Sequence, residues 1–127
     1  MDGERLVFAT DTVNLGHTFP GVNLLALEAN YDKDILSRCE KMPEKVRYRV
    51  TNSHMEIGTL CQYLETLDLS ACRTLYLLHL SNAASNEGNF IARVRRVVPA
   101  NGRIIVRGAH FQALGLIFVQ KPVIGYN

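Results

Sequence analysis

Four residues in this chain have side chains able to bind a metal or carry a proton, and each stands where an apolar segment gives way to a polar one. Asp11 follows Leu6-Val7-Phe8-Ala9-Thr10, and Glu28 closes Val22-Asn23-Leu24-Leu25-Ala26-Leu27. His54 precedes a strongly amphipathic stretch, and His79 follows Leu75-Tyr76-Leu77-Leu78. Carboxylate and imidazole groups are the ligands that hold borderline or hard divalent metals. A glutamate that accepts the proton on one imidazole nitrogen fixes the tautomer and makes the other nitrogen more basic. An Asp, a Glu and two His arriving at one edge would therefore suit metal-assisted hydrolysis.

The elements that must deliver them follow from periodicity. Arg5–Thr10 reads as a strand, and Thr12–Pro20 as a loop. Val22–Glu28 and Arg73–Leu80 are nearly continuous apolar runs, as expected of strands covered on both faces. Asp32–Lys41 is predicted helical, and Pro43 opens a second short helix through Val50. Glu56–Leu67 is a third helix, with Ile57, Leu60, Cys61, Leu64 and Leu67 on one face. Asn52 or Ser53 is its expected N-cap, with Glu56 closing a capping box on Ser53. Asn86 caps a fourth helix that turns Phe90, Ile91, Val94 and Val97 inward. Pro99–Gly102 is a turn, and Arg103–Arg107 and Leu114–Val119 are strand-like. Helices alternating with buried strands imply a layered α/β architecture, in which ligands gather at the C-terminal ends of the strands. Asp11, Glu28 and His79 occupy three such ends.

At 127 residues, 47% apolar and 20% charged, the chain has the composition of a globular domain. A net charge of +2 gives no general pull on polyanions. A local patch could come from Arg93, Arg95, Arg96, Arg103 and Arg107, although a solvated helix face and edge strand account for the same residues. No apolar run approaches bilayer length, and Met1–Arg5 lacks the form of a signal peptide, so a cytoplasmic protein without a membrane partner is expected. Cys39, Cys61 and Cys72 match neither a zinc pattern nor a disulfide framework and are expected to be reduced, buried thiols.

In order and spacing, these segments resemble the C-terminal half of the metallo-β-lactamase-fold hydrolases, in particular the nuclease and phosphodiesterase branches similar to the WalJ/YycJ-like proteins and to ribonuclease Z. Gly3 to Thr12 is similar to the strand that ends Thr-Asp-Thr-Gly, with Val13 standing in place of the final glycine. Glu28-Ala29-Asn30-Tyr31 is similar to the family's Glu-(Ala/Ser)-(Asn/Thr) segment. Asn52-Ser53-His54-Met55 stands at its Gly-His motif, and His79-Leu80-Ser81 at its final His-Leu-Ser motif. The resemblance implies that Asp11 and His79 are metal ligands and that Glu28 and His54 form a proton relay. It further implies zinc or manganese as the metal and a phosphodiester of nucleic acid as the substrate.

It also implies one half of an αββα sandwich, with a mixed sheet and helices on one face. The family's His-x-His-x-Asp-His cluster is missing from these 127 residues. His17 and His110 are expected to be surface residues rather than substitutes for it. The expectation is thus a single domain that exposes the sheet face its missing half would cover, and that acts as a homodimer or with a separate N-terminal half-domain. The rival expectation is a non-catalytic binding or assembly module with a vestigial site.

Overall fold

The computed structural model describes residues 5–107. Its elements are β1 (Leu6–Ala9), β2 (Leu24–Glu28), α1 (Lys33–Ser37), α2 (Glu44–Ser53), α3 (Ile57–Glu65), β3 (Thr74–Leu78), α4 (Glu87–Arg95) and β4 (Arg103–Arg107). The strands form one sheet in the order β1-β2-β3-β4, and every pair is parallel. The mixed sheet expected from the sequence is therefore not what the described strands form. Residues 10–23, 29–73 and 79–102 are each long enough to be a crossover, which is what parallel neighbours need. The strand-like segment Leu114–Val119 and His110 lie outside the described residues.

A parallel sheet whose strands follow in sequential order, joined by crossovers of one hand, keeps its connections on one face. The main core is built there. Val7, Ala9, Leu25, Leu27, Leu75 and Leu77 project from the sheet onto Ile57, Leu60 and Leu64 of α3 and onto Phe90 and Val94 of α4. The β1–β2 loop adds Leu15 and Val22 to the same core.

The other face was expected to be open and apolar. Ala26 and Leu78 on that face are instead buried, with the half-buried Phe8 and Tyr76 packed against them. The register accounts for Ala26, because Phe8, Ala26 and Tyr76 stand in one row and the small central residue is screened by two aromatic rings.

Two helix ends differ from expectation. Asp32 caps α1, whose amide partner is Asp34, but the helix stops at Ser37 instead of continuing to Lys41. Arg47 of α2 stops it, donating from its guanidinium to the carbonyls of Leu36, Ser37, Cys39 and Met42. Those carbonyls gain a charged donor in place of helix amides. At α3 the cap is Glu56 and not Asn52 or Ser53, which belong to α2. Glu56 Oε1 accepts from the amides of Gly58 and Thr59 at 2.7 and 3.2 Å, and Oε2 accepts from the amide of Lys33 at 3.1 Å. Asn86 caps α4 as expected, accepting from the amide of Asn89 at 2.8 Å.

Candidate metal and proton-transfer site

Residues 29–32 continue the path of β2 beyond the sheet and are hydrogen-bonded on both sides. On one side the Ala29 amide donates to the Leu78 carbonyl, the Ser81 amide to the Asn30 carbonyl, and the Asp32 amide to the Ala84 carbonyl, at 2.8–2.9 Å. On the other, the Asn30 amide donates to the Met55 carbonyl at 2.9 Å and the Ile57 amide to the Tyr31 carbonyl at 2.8 Å. Tyr31 and Glu56 form an isolated parallel bridge. This central segment brings His54 and His79, which are distant in sequence, up to Glu28 from opposite sides.

Each functional residue sits at an element boundary. Asp11 lies two residues past β1, Glu28 ends β2, His54 is the C-cap of α2, and His79 directly follows β3. Asp11 and His79 adopt φ of 58° and 60°, and they are the non-glycine residues with positive φ among the described residues. The left-handed region costs L-residues about 1–2 kcal/mol. Such strain tends to collect where a side chain must be aimed. At His79 the conformation is held by the Asn30 side-chain amide, which donates to the His79 carbonyl at 2.6 Å.

Glu28 is the centre of the site and is completely buried. Its Oε1 accepts the Asp11 amide at 2.5 Å, and its Oε2 is hydrogen-bonded to His54 Nδ1. A buried carboxylate is tolerated only when its oxygens are satisfied, and here both are. His79 Nδ1 lies 3.8 Å from Glu28 Oε2 and 4.0 Å from Asp11 Oδ1, and His54 Nδ1 lies 3.7 Å from Asp11 Oδ1. The pKa of His79 is raised from its ordinary value, chiefly by interaction with the Glu28 carboxylate. The charge of Asp11 adds to the effect and partial burial opposes it.

The structure thus brings together all four residues singled out in the sequence. Their ligand atoms lie within 4.8 Å of one another, so the cluster could hold a metal ion. The donors fit a hard or borderline divalent cation. Ligand atoms about 2.0–2.2 Å from such an ion stand roughly 3.4 Å apart at tetrahedral angles. His79 Nδ1 and Asp11 Oδ1, 4.0 Å apart, are about 0.6 Å wider than that and would draw together around an ion. The two carboxylates also supply the negative charge that a cation needs.

Sequence reasoning missed Asn30 as the clamp on His79, and Glu56 as the residue that ties α3 to α1. The signal for Asn30 was a polar residue two positions past a buried strand.

Elsewhere, Arg93 pairs with Asp32 at 3.5 Å, and Arg95 donates to the Gly102 carbonyl at 2.6 Å, so both serve internal contacts. His17 is exposed, as expected, and its carbonyl accepts the Tyr63 hydroxyl at 2.6 Å. All three cysteines are free thiols; Cys72 is buried, whereas Cys39 and Cys61 are only half-buried. Among the described residues no helix is long and apolar enough to cross a membrane. No protein-family model matches the chain, and no curated protein matches it.

Proposed function

We propose that this chain carries part of a metal-dependent hydrolase site of the phosphodiesterase or nuclease type. The observation that carries the reading is the convergence of Asp11, Glu28, His54 and His79 at the C-terminal edge of a parallel sheet, around a buried carboxylate. Asp11 and His79 are the ligands for a divalent ion, zinc first and manganese as the alternative. When bound, such an ion polarises the scissile bond and favours attack by water. Glu28 holds the Nδ1 proton of His54 and orients the ring. His54 then gives its Nε2 proton to the departing oxygen as water adds to phosphorus, and is reprotonated from solvent. Zinc hydrolase sites use three protein ligands and a water, so a second copy of the chain, or a separate histidine-rich half-domain, would complete the set.

The occupancy of Glu28 favours a second reading. Both its oxygens are engaged within the protein, which leaves Asp11 and His79 as the donors not already committed to that carboxylate. Two ligands hold a metal weakly, and on this reading the domain is a non-catalytic binding or assembly module.

Native mass spectrometry of the purified chain with zinc or manganese reports bound metal and oligomeric state together. Hydrolysis of bis(p-nitrophenyl) phosphate under the same conditions reports activity. Bound metal and hydrolysis, both lost in His79→Ala, support the hydrolase. Absence of metal removes a hydrolase made by this chain alone and leaves completion by a separate half-domain; hydrolysis unchanged by His79→Ala removes His79 from the site.

A further inference from the structure

Helix α2 delivers His54 to the site, yet none of its own residues is buried. A helix that contributes so little to the core needs another reason for its sequence. Lys45, Tyr48, Arg49 and Asn52 are all exposed and fall at i, i+3, i+4 and i+7, which places them on one face. Val50, on the opposite side, packs towards Tyr31, Leu36 and Ala84. Tyr48 is 72% exposed, the most exposed large apolar side chain among the described residues.

The surroundings of Tyr48 are cationic. Residues 33–52 hold six of the chain's fourteen Lys and Arg, but only three of its twelve Asp and Glu, namely Asp34, Glu40 and Glu44. The remainder of the chain is therefore slightly acidic, and the positive charge is concentrated on the α1–α2 hairpin. Among the described residues no ion pair engages Lys45 or Arg49. Beside Tyr48 lies a shallow groove of about 360 Å³, walled by Leu36, Thr51, Lys33, Arg47 and Glu44. Its floor is apolar, and Lys33 and Glu44 stand at its rim. The platform is firm, because Arg47 fastens α2 to four carbonyls of residues 36–42.

We propose that the exposed face of α2 binds single-stranded nucleic acid, with a base stacked on Tyr48 and phosphates on Lys45 and Arg49. An aromatic side chain flanked by unpaired cations suits this partner. The ring accepts any base by its π-face, and the cations follow the backbone. Tyr48 and His54 are six residues apart, about 9 Å along the helix axis and about 120° around it, so a strand that stacks on Tyr48 has to cross the end of α2 to reach the site. The inference names the substrate class for the hydrolase reading and rests on it for that purpose, but the binding itself requires no catalysis.

The test is fluorescence anisotropy with labelled oligothymidylate and oligouridylate in EDTA, so that nothing is cleaved. Tyr48→Ala is expected to weaken binding by about tenfold or more, whereas Tyr48→Phe retains it. Lys45→Ala and Arg49→Ala are each expected to lower the salt slope by about 0.7. All three positions are exposed, so these variants fold.

No binding by the native chain, or binding unchanged by Tyr48→Ala, overturns the proposal. Equal binding of a poly-glutamate peptide also overturns it, because a partner without bases has nothing to stack. Binding through Tyr48 with no metal-dependent cleavage supports this surface and counts against the hydrolase. Metal-dependent hydrolysis of the small diester with no oligonucleotide binding does the reverse.

Discussion

Glu28 Oε2 meets His54 Nδ1 across 26 residues of sequence, and the carboxylate that makes this bond is wholly enclosed while the imidazole reaches solvent. The pair is oriented from the inside. The buried partner fixes which nitrogen of the exposed partner faces outward, and the Asp11 amide holds the carboxylate from its other oxygen. The geometry of His54 is therefore a property of the core of the protein.

Glu28→Gln tests that dependence. The amide keeps an acceptor for Asp11 but replaces the oxygen that meets His54 Nδ1 with an NH2 group. A loss of about 1–3 kcal/mol in urea denaturation is expected. Metal affinity measured by calorimetry should fall by about 10–100-fold. Glu28→Leu should cost more stability, since it leaves the Asp11 amide without its acceptor. Native stability in both variants would show that Glu28 is not the organiser of the site.

The backbone at His79 separates stability from ligation. At φ 60° a glycine is at ease where an L-residue is strained. His79→Gly is therefore expected to remain within about 1 kcal/mol of the native protein in thermal denaturation. Its metal binding should nevertheless fall by at least about tenfold. His79→Val should be clearly destabilised, because β-branching is poorly tolerated in that region. A strongly destabilised glycine variant would mean that the imidazole itself holds the fold together.

Tyr63 makes an alkaline prediction. Burial pushes its phenol up to about 12, and in its neutral form it donates to the His17 carbonyl. The folded pKa lies above the unfolded value, so this contribution is complete below about pH 10 and is lost as pH rises towards 12. Tyr63→Phe is expected to be about 1 kcal/mol less stable at neutral pH. The gap between the two proteins should narrow from pH 10 upward, as followed by chemical denaturation.

The cap of α3 is tested at Gly58, where an added Cβ would meet Glu56 Oε1 at 2.8 Å and Arg93 Nη2 at 3.3 Å. Mid-helix Gly→Ala substitutions ordinarily stabilise by about 0.5–1 kcal/mol. Gly58→Ala should instead be neutral or destabilising, because it displaces the capping carboxylate. Glu56→Ala should cost about 1 kcal/mol. A stabilised Gly58→Ala would show that Glu56 can cap from another rotamer.

Much of this was legible because the strands are short apolar runs, each followed directly by a polar residue with chemistry of its own. Leu24–Glu28 and Thr74–Leu78 could be read directly, and with them the positions of Glu28 and His79. The cap of α3 was misread because Ser53 and Glu56 match a capping box in spacing. That spacing carries no sign that α2 extends through Ser53 and uses His54 as its own cap. The early end of α1 depends on Arg47, a residue ten positions beyond Ser37, and local propensity has no means of expressing it. The left-handed backbone at Asp11 and His79 also left no mark, since neither position carries the glycine that usually announces it. The exposed face of α2 escaped notice because Lys45, Arg47 and Arg49 alternate with Val46 and Tyr48 along the sequence, and only the helical turn brings Lys45, Tyr48 and Arg49 onto one outer face.

The segment 29–32 has a kinetic consequence. His54 and His79 reach Glu28 only after this segment has gained neighbours on both flanks, and those neighbours come from contacts that enclose long stretches of chain. Closing such loops is slow, and parallel pairings of this kind form late. The four residues should accordingly converge after the helices have condensed on the sheet. In a refolding experiment the capacity to capture a cation should lag behind the recovery of helical signal, making the site a reporter of the final step of folding.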